Sequence, residues 1–265
     1  EVNYQRLAKI DGRNPNKDKV DLESSDFLQV RKIIEAESIF LQKARGIADR
    51  EAEKNALSVL ALAYSRLGQI RKAIQYFQEQ LIISQELRNF EEVCGLLANL
   101  GDAYAVSGNI DRAKHYYEKQ RMLAESKGLH AYVGTSYNGI GFVFVKQGKI
   151  KQAIDCYFKA LESYRELEND DKQLELLVGI GLNYRKIEQW EKAIECFEQA
   201  FKIAKYNENR KEEAQIRVDL AEVFIKVDKR DLAISQIEEA EKDLKYLNTN
   251  WSQSLLRRIE SLRNF

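Results

Sequence analysis

The chain has 265 residues, with 42 Lys and Arg balanced by 42 Asp and Glu, two His, three Cys, one Met and one Pro. A formal charge of zero excludes a polyanion binder driven by bulk electrostatics, because nucleic-acid binding rests on a marked excess of cations. With 44% hydrophobic and 32% charged residues the chain can bury a core, which excludes global disorder, and the single Pro favours long helices with few turns.

Residues 1–22 are a polar segment containing Asp11-Gly12 and Asn14-Pro15, for which irregular structure or a short helix near Tyr4 to Ile10 is expected. No Met precedes Glu1 and no signal-peptide pattern follows it, so Glu1 is expected to be a trimmed or processed start. Residues 23–50 predict a leading helix, since Phe27, Val30, Ile33, Ile34, Phe40, Leu41, Ala44 and Ile47 recur at helical spacing. At the other end, residues 249–265 predict a capping helix that starts at Asn250 as N-cap and carries Trp251, Leu255, Ile259 and Leu262 on one stripe. Such a helix covers the stacking face that a terminal repeat would otherwise expose.

Between these flanks the chain repeats itself every 40 residues, in units 51–90, 91–130, 131–170, 171–210 and 211–248. Leu60-Ala61, Leu100-Gly101, Ile140-Gly141, Ile180-Gly181 and Leu220-Ala221 align, each followed by an aromatic at Tyr64, Tyr104, Phe144, Tyr184 or Phe224. Gly68, Gly108, Gly148, Glu188 and Asp228 come next, then an unbroken alanine column at Ala73, Ala113, Ala153, Ala193 and Ala233. Phe77, Tyr117, Tyr157, Phe197 and Ile237 follow one turn later. The pattern predicts two helices per repeat: the first closes at the Gly column, and the second presents Ala and an aromatic on one face against the small residue of the first. The fold class is an all-α right-handed solenoid of five helical hairpins between a leading and a capping helix.

This register resembles the tetratricopeptide repeat (TPR), whose signature is W-x-x-L-G-x-x-Y, a Gly, then A-x-x-x-F-x-x-A. Leu57, Leu97, Tyr137, Leu177 and Arg217 stand at the Trp position, and Gln80, Gln120, Ala160, Ala200 and Ala240 at the last Ala. The long period is similar to the Pins/LGN branch, bacterial extended repeats and Rap-type peptide-sensing regulators. In the LGN branch an Asn before Leu-Gly binds partner backbone; the equivalent column here is Val59, Asn99, Gly139, Gly179 and Asp219, with one Asn at Asn99.

The resemblance implies a non-catalytic scaffold or adaptor that holds a partner protein or peptide in a concave groove lined by first helices. Alternatives are a ligand-responsive Rap-like peptide sensor and a TPR module of a larger enzyme. The implied groove columns are Leu62, Asp102, Phe142, Leu182 and Glu222; Ser65, Ala105, Val145, Arg185 and Ile225; and Arg66, Val106, Lys146, Lys186 and Lys226. Two explanations stand for the basic last column: helix-end cations favoured by the macrodipole, or a strip that recognises carboxylates. On the second, Lys146, Arg185 and Lys186, flanked by Asn138 and Phe142, centre a groove for an acidic or C-terminal partner segment.

Other chemistry has little support in the residues. Gly139-x-Gly141 and Gly179-x-Gly181 lack a third Gly and fall mid-helix in the repeat, where close packing wants small residues. His115 and His130 are far apart, and no nucleophile, P-loop or zinc-protease motif accompanies them. Cys94, Cys156 and Cys196 have no CxxC spacing and are expected to be reduced packing residues in the cytoplasm or another reducing compartment. No enzymatic activity, metal, cofactor or nucleic acid is expected. The longest uncharged run, Ala131 to Val145, is too short for a bilayer core of about 30 Å, so no membrane insertion is expected.

Overall fold

The computed structural model describes residues 25–244 and 249–263, which form twelve α-helices. One compact unit, ending at Lys146, holds α1 Ser25–Gly46, α2 Arg50–Arg66, α3 Ile70–Glu86, α4 Phe90–Val106, α5 Ile110–Lys127 and α6 His130–Lys146. A second, beginning at Gln147, holds α7 Ile150–Glu166, α8 Asp170–Lys186, α9 Trp190–Tyr206, α10 Arg210–Lys226, α11 Arg230–Leu244 and α12 Asn250–Leu262. The described residues thus have the all-α helical-hairpin solenoid class that the repeat predicts. The expectation for residues 1–22 lies outside the described residues.

One device closes helix after helix. Every twentieth residue from Ala48 to Asp228 is left-handed, with φ between +51° at Glu168 and +81° at Gly108. The N–H of the following residue then bonds the carbonyl five positions back, as in Gln69 to Tyr64 at 2.9 Å and Asn209 to Ala204 at 2.8 Å. This satisfies carbonyls that a helix end leaves unpaired and turns the chain within three residues. The repeat pattern locates Gly68, Gly108 and Gly148 among these sites; Glu188 and Asp228 take the same conformation despite their Cβ, as do Arg88, Glu168 and Glu208 between repeats.

The residue after each left-handed one starts the next helix. Asp49, Asn89, Asn109, Asn169 and Asn209 accept the backbone N–H three residues on with their side chains, the usual reason for an acidic or amide N-cap. Helix α12 differs from expectation. Its cap is Thr249, not Asn250: Thr249 Oγ1 accepts from the Ser252 N–H at 3.1 Å while Ser252 Oγ accepts from the Thr249 N–H at 3.0 Å. That reciprocal box needs hydroxyls three apart, which Thr249 and Ser252 supply, and Asn250 becomes the first helical residue.

Packing follows the predicted columns. Ala73, Ala113, Ala153, Ala193 and Ala233 are fully buried, and the aromatic column from Phe77 to Ile237 is buried throughout. In the first unit α2 pairs with α3 and α4 with α5, while α1 packs on α2 through Leu41, which joins Ala56, Leu57, Leu60 and Ile83 in one apolar cluster. In the second unit α8 pairs with α9 and α10 with α11, and α12 rests on both α10 and α11. Leu255 and Ile259 of α12 are buried, consistent with an end cap.

Candidate functional site

In the first unit the candidate residues lie on α2, α4 and α6. Arg66 is exposed in the last turn of α2, and Asn99 and Asn138 are half-buried on α4 and α6. Phe142 and Val145 are half-buried, and the exposed Lys146 places Nζ 5.3 Å from the Phe142 ring centroid, within cation–π range.

Asp102 does not line an open surface: it is 8% exposed, and Oδ1 accepts the Tyr117 hydroxyl at 2.5 Å. The reason lies in two glycines. A Cβ on Gly101 or on Gly139 would come within 2.5 Å of the Tyr117 ring, so the ring is clamped between α4 and α6 with its hydroxyl aimed at Asp102. Gly139 is therefore a packing residue, as is Gly181, where a Cβ would stand 2.7 Å from Phe197. Gly179 departs from the packing expectation, because a Cβ there meets nothing within 4 Å.

At the ends of the first helices, Tyr64 stacks on Tyr76 at 5.4 Å between centroids and Tyr104 on Tyr116 at 5.3 Å. Lys72 and Arg112 lie over Tyr64 and Tyr104. Gln78 donates to both Tyr104 Oη and Tyr116 Oη, linking the first repeat to the second.

In the second unit the candidates are Leu182, Arg185 and Lys186 on α8 and Lys226 on α10. Leu182 is half-buried, and Lys186 and Lys226 are exposed. Arg185 already has carboxylate partners inside the chain, since Nη1 bonds Glu222 and reaches Asp219 at 3.4 Å. Arg258 of α12 completes the cluster, with Nη2 on Asp219 Oδ1 at 2.6 Å and Nε on Glu222. Burial opposes the charge of Arg258, and the bonds from Glu222 and Asp219 outweigh that, so its pKa is raised. Asp219, in the column that also holds Asn99, Gly139 and Gly179, is 2% exposed and bound to these two guanidinium groups.

Beside the cluster is a cleft of about 500 Å³ lined by Arg185, Trp190, Glu222, Ile225, Lys226, Ser261 and Leu262. The structure thus brings Arg185 and Lys226 together with apolar walls from Trp190, Ile225 and Leu262. Trp190 and Leu262 were missed as site residues: Trp190 opens a second helix and Leu262 belongs to the cap, so neither falls in a first-helix column. Trp190 was findable as a large aromatic at a helix start; Arg258 carries no repeat signal at all.

The remaining polar residues have plain surroundings. All three cysteines are free, and burial pushes the Cys94 and Cys196 thiols up to about 11, which keeps them protonated at neutral pH. His115 is exposed and edges onto Tyr116. Among the described residues no group of three or more His, Cys, Asp or Glu could hold a metal ion, and no helix is long and apolar enough to cross a membrane.

Stacked hairpins with shaped, mixed polar and apolar faces define the class: a helical-repeat scaffold. The chain belongs to the tetratricopeptide repeat family, whose models match residues 56–89, 92–166 and 172–245. No curated protein matches the sequence. Among solved structures it is similar to BtubC (BKLC) from P. vanneervenii, with 23% identity, 83% of this chain and 92% of that one covered, and a TM-score of 0.72. It is also similar to aspartyl phosphate phosphatase F from Bacillus subtilis, with 13% identity, 98% and 72% covered, and a TM-score of 0.71. The apo quorum sensor NprR from B. thuringiensis gives 15% identity, 98% and 74% covered, and a TM-score of 0.65. At these identities the likeness is one of fold.

Proposed function

We propose that the chain is a non-catalytic adaptor that binds an acidic or C-terminal segment of a partner protein, with the cleft of the second unit as its principal contact. The observation that carries this is the pairing of Lys226 with the apolar walls of Trp190, Ile225 and Leu262 in one cleft. Apolar burial supplies affinity, and an exposed ammonium orients a carboxylate and speeds its arrival. Arg185 holds the cleft wall through Glu222, and Lys186 adds charge at its end of α8. In the first unit, Phe142, Val145 and Lys146, with Asn138 and Asn99 nearby in the repeat register, offer a second contact of the same chemistry, and Arg66 a third cation.

The test is a random peptide library selected on the whole chain, followed by titration of the selected peptides against variants. The peptides are expected to carry an acidic residue or a free C-terminus beside an apolar side chain. Lys226→Glu is expected to weaken them by about tenfold or more, with the loss growing at low salt, while Trp190→Ala weakens them without changing the salt dependence. Peptides of no consistent charge, or titrations untouched by both variants, would remove the cleft from consideration.

A second reading has the chain as a ligand-responsive regulator, favoured by a fold likeness to a quorum sensor that covers 98% of this chain and 74% of that one. It requires the selected peptide to change the hydrodynamic size of the chain, which sedimentation velocity measures.

A further inference from the structure

Helix α1 continues the hairpin stack of the first unit on one side only. Its residues 30–46 stand in the forty-residue register of the second helices α3, α5, α9 and α11. In those helices the columns that contain Ile33 and Phe40 are closed: Ala73, Ala113, Ala193 and Ala233 are 0% exposed, and Gln80, Gln120, Ala200 and Ala240 are at most 4%. In α1, Ile33 is 39% and Phe40 47% exposed, although Leu41 and Ala44 on the adjoining face are buried. The difference has a simple origin. Each of α3, α5, α9 and α11 is covered by the first helix of its own hairpin, and α1 has no such helix among the described residues.

The open face has its own chemistry. Ile33 and Phe40 lie two turns apart, so they form one stripe. On the solvent side of that stripe stand Lys32 and Lys43, both exposed and without an ion pair among the described residues. Glu37 takes the column held elsewhere by Phe77, Tyr117 and Phe197. A copy of the chain's own first helices would be a poor cover, because their small residues are shaped to receive an aromatic ring, as Gly101 receives Tyr117. A second copy of α1 laid antiparallel would set flank against like flank, bringing Lys32 and Lys43 onto each other.

We infer that the Ile33 and Phe40 face of α1 docks an amphipathic helix of a partner protein, one with an apolar stripe, a hydrogen-bond donor opposite Glu37 and carboxylates facing Lys32 and Lys43. The hairpin interface of the repeats continues across this face, so the docked helix completes a hairpin. The site lies on α1 and does not depend on the cleft of the second unit.

The experiment uses the whole chain and two synthetic helical peptides matched in length to α2. Both carry a leucine stripe with one glutamine in it; one has glutamates on its flanks and the other lysines. Fluorescence anisotropy is expected to show the glutamate peptide binding about tenfold or more tighter than the lysine peptide, as complementary charge steers and holds it. Phe40→Asp abolishes both, and Lys32→Glu with Lys43→Glu reverses the preference. Because these side chains are exposed, circular dichroism of the variants stays that of the parent. Binding of neither peptide, equal binding of both, or indifference to Phe40→Asp overturns the inference. So does a dimer in sedimentation that Phe40→Asp dissolves, which gives the face to a second copy. Tighter peptide binding after removal of residues 1–24 gives it to the chain's own N-terminal segment, and binding of phosphatidylserine vesicles in place of the peptides gives it to a lipid surface; either result also overturns it.

Discussion

The two units place a carboxylate at equivalent turns of their first helices and satisfy it in opposite ways. In the first, Asp102 of α4 accepts a neutral phenol from Tyr117, held in place by glycines on both sides. In the second, Glu222 of α10 stands forty-residue multiples further on and, with Asp219, binds two guanidinium groups, one from α8 and one from the capping helix. One register therefore hosts two kinds of contact. A phenol hydroxyl and a carboxylate join α4 to α5 by a hydrogen bond, whereas Arg185, Asp219, Glu222 and Arg258 bring two charges of each sign together and tie three helices.

The sharpest way to break this comparison is Arg258→Ala. Removing one partner of a largely buried ion cluster costs about 3 kcal/mol, the low end of the range because Arg185 remains on the same carboxylates. Urea unfolding measures the loss, and limited proteolysis is expected to cut first in α12, the helix that loses its tether. A next-largest effect belongs to the first unit: Gly139→Ala pushes a methyl into Tyr117, which Gly101 prevents from retreating. Overpacking then outweighs the usual helix gain of alanine, for a net loss of about 2 kcal/mol in the same measurement.

Asp102→Asn keeps an oxygen acceptor for the Tyr117 hydroxyl and is expected to cost about 1 kcal/mol or less. A cost as large as that of Arg258→Ala would mean that the charge at residue 102 matters and that the two units are more alike than their contacts show. Gln120→Met removes an amide buried with neither polar atom hydrogen-bonded, in a column where the later repeats have Ala160, Ala200 and Ala240. It is expected to raise stability by about 1 kcal/mol. Smallest is Gly179→Ala, a gain of about 0.5 kcal/mol from reduced backbone freedom, since a methyl there meets nothing within 4 Å. Opposite signs for Gly139→Ala and Gly179→Ala, which share a column, would confirm that the aromatic neighbour and not the register decides what a glycine is for.

Much of the fold was legible because packing repeats. The alanine and aromatic columns marked the buried faces, and their burial from Ala73 to Ala233 follows from the same spacing. The N-caps at Asp49, Asn89, Asn169 and Asn209 share a column, with Asn109 at the junction inside a hairpin, but they carry no hydrophobic signal, so the apolar pattern passes over them. Left-handed Arg88 and Glu208 were hidden for a different reason: a twenty-residue junction rhythm overrides local preference there, and sequence preference alone points to Gly.

The candidate site was less legible. A column gives the direction in which a side chain leaves its helix, not what waits there. Asp102 and Arg185 share a face with Phe142 and Leu182, yet the first meets Tyr117 and the second meets Glu222. Arg258 lies in a helix outside the repeat, so no alignment of the repeats could announce its hold on Asp219.

The left-handed junctions set a unit of length for the chain. Because they recur every twenty residues and the two helices of a hairpin are not interchangeable, a duplication of forty residues cut between one junction and its match restores every contact face, whereas one of twenty brings two second helices together with no first helix between them. A chain with residues 169–208 duplicated in tandem should therefore fold with one more hairpin, and one with residues 189–208 duplicated should not. On this geometry hairpins are added or removed whole, and the place to splice is the left-handed junction.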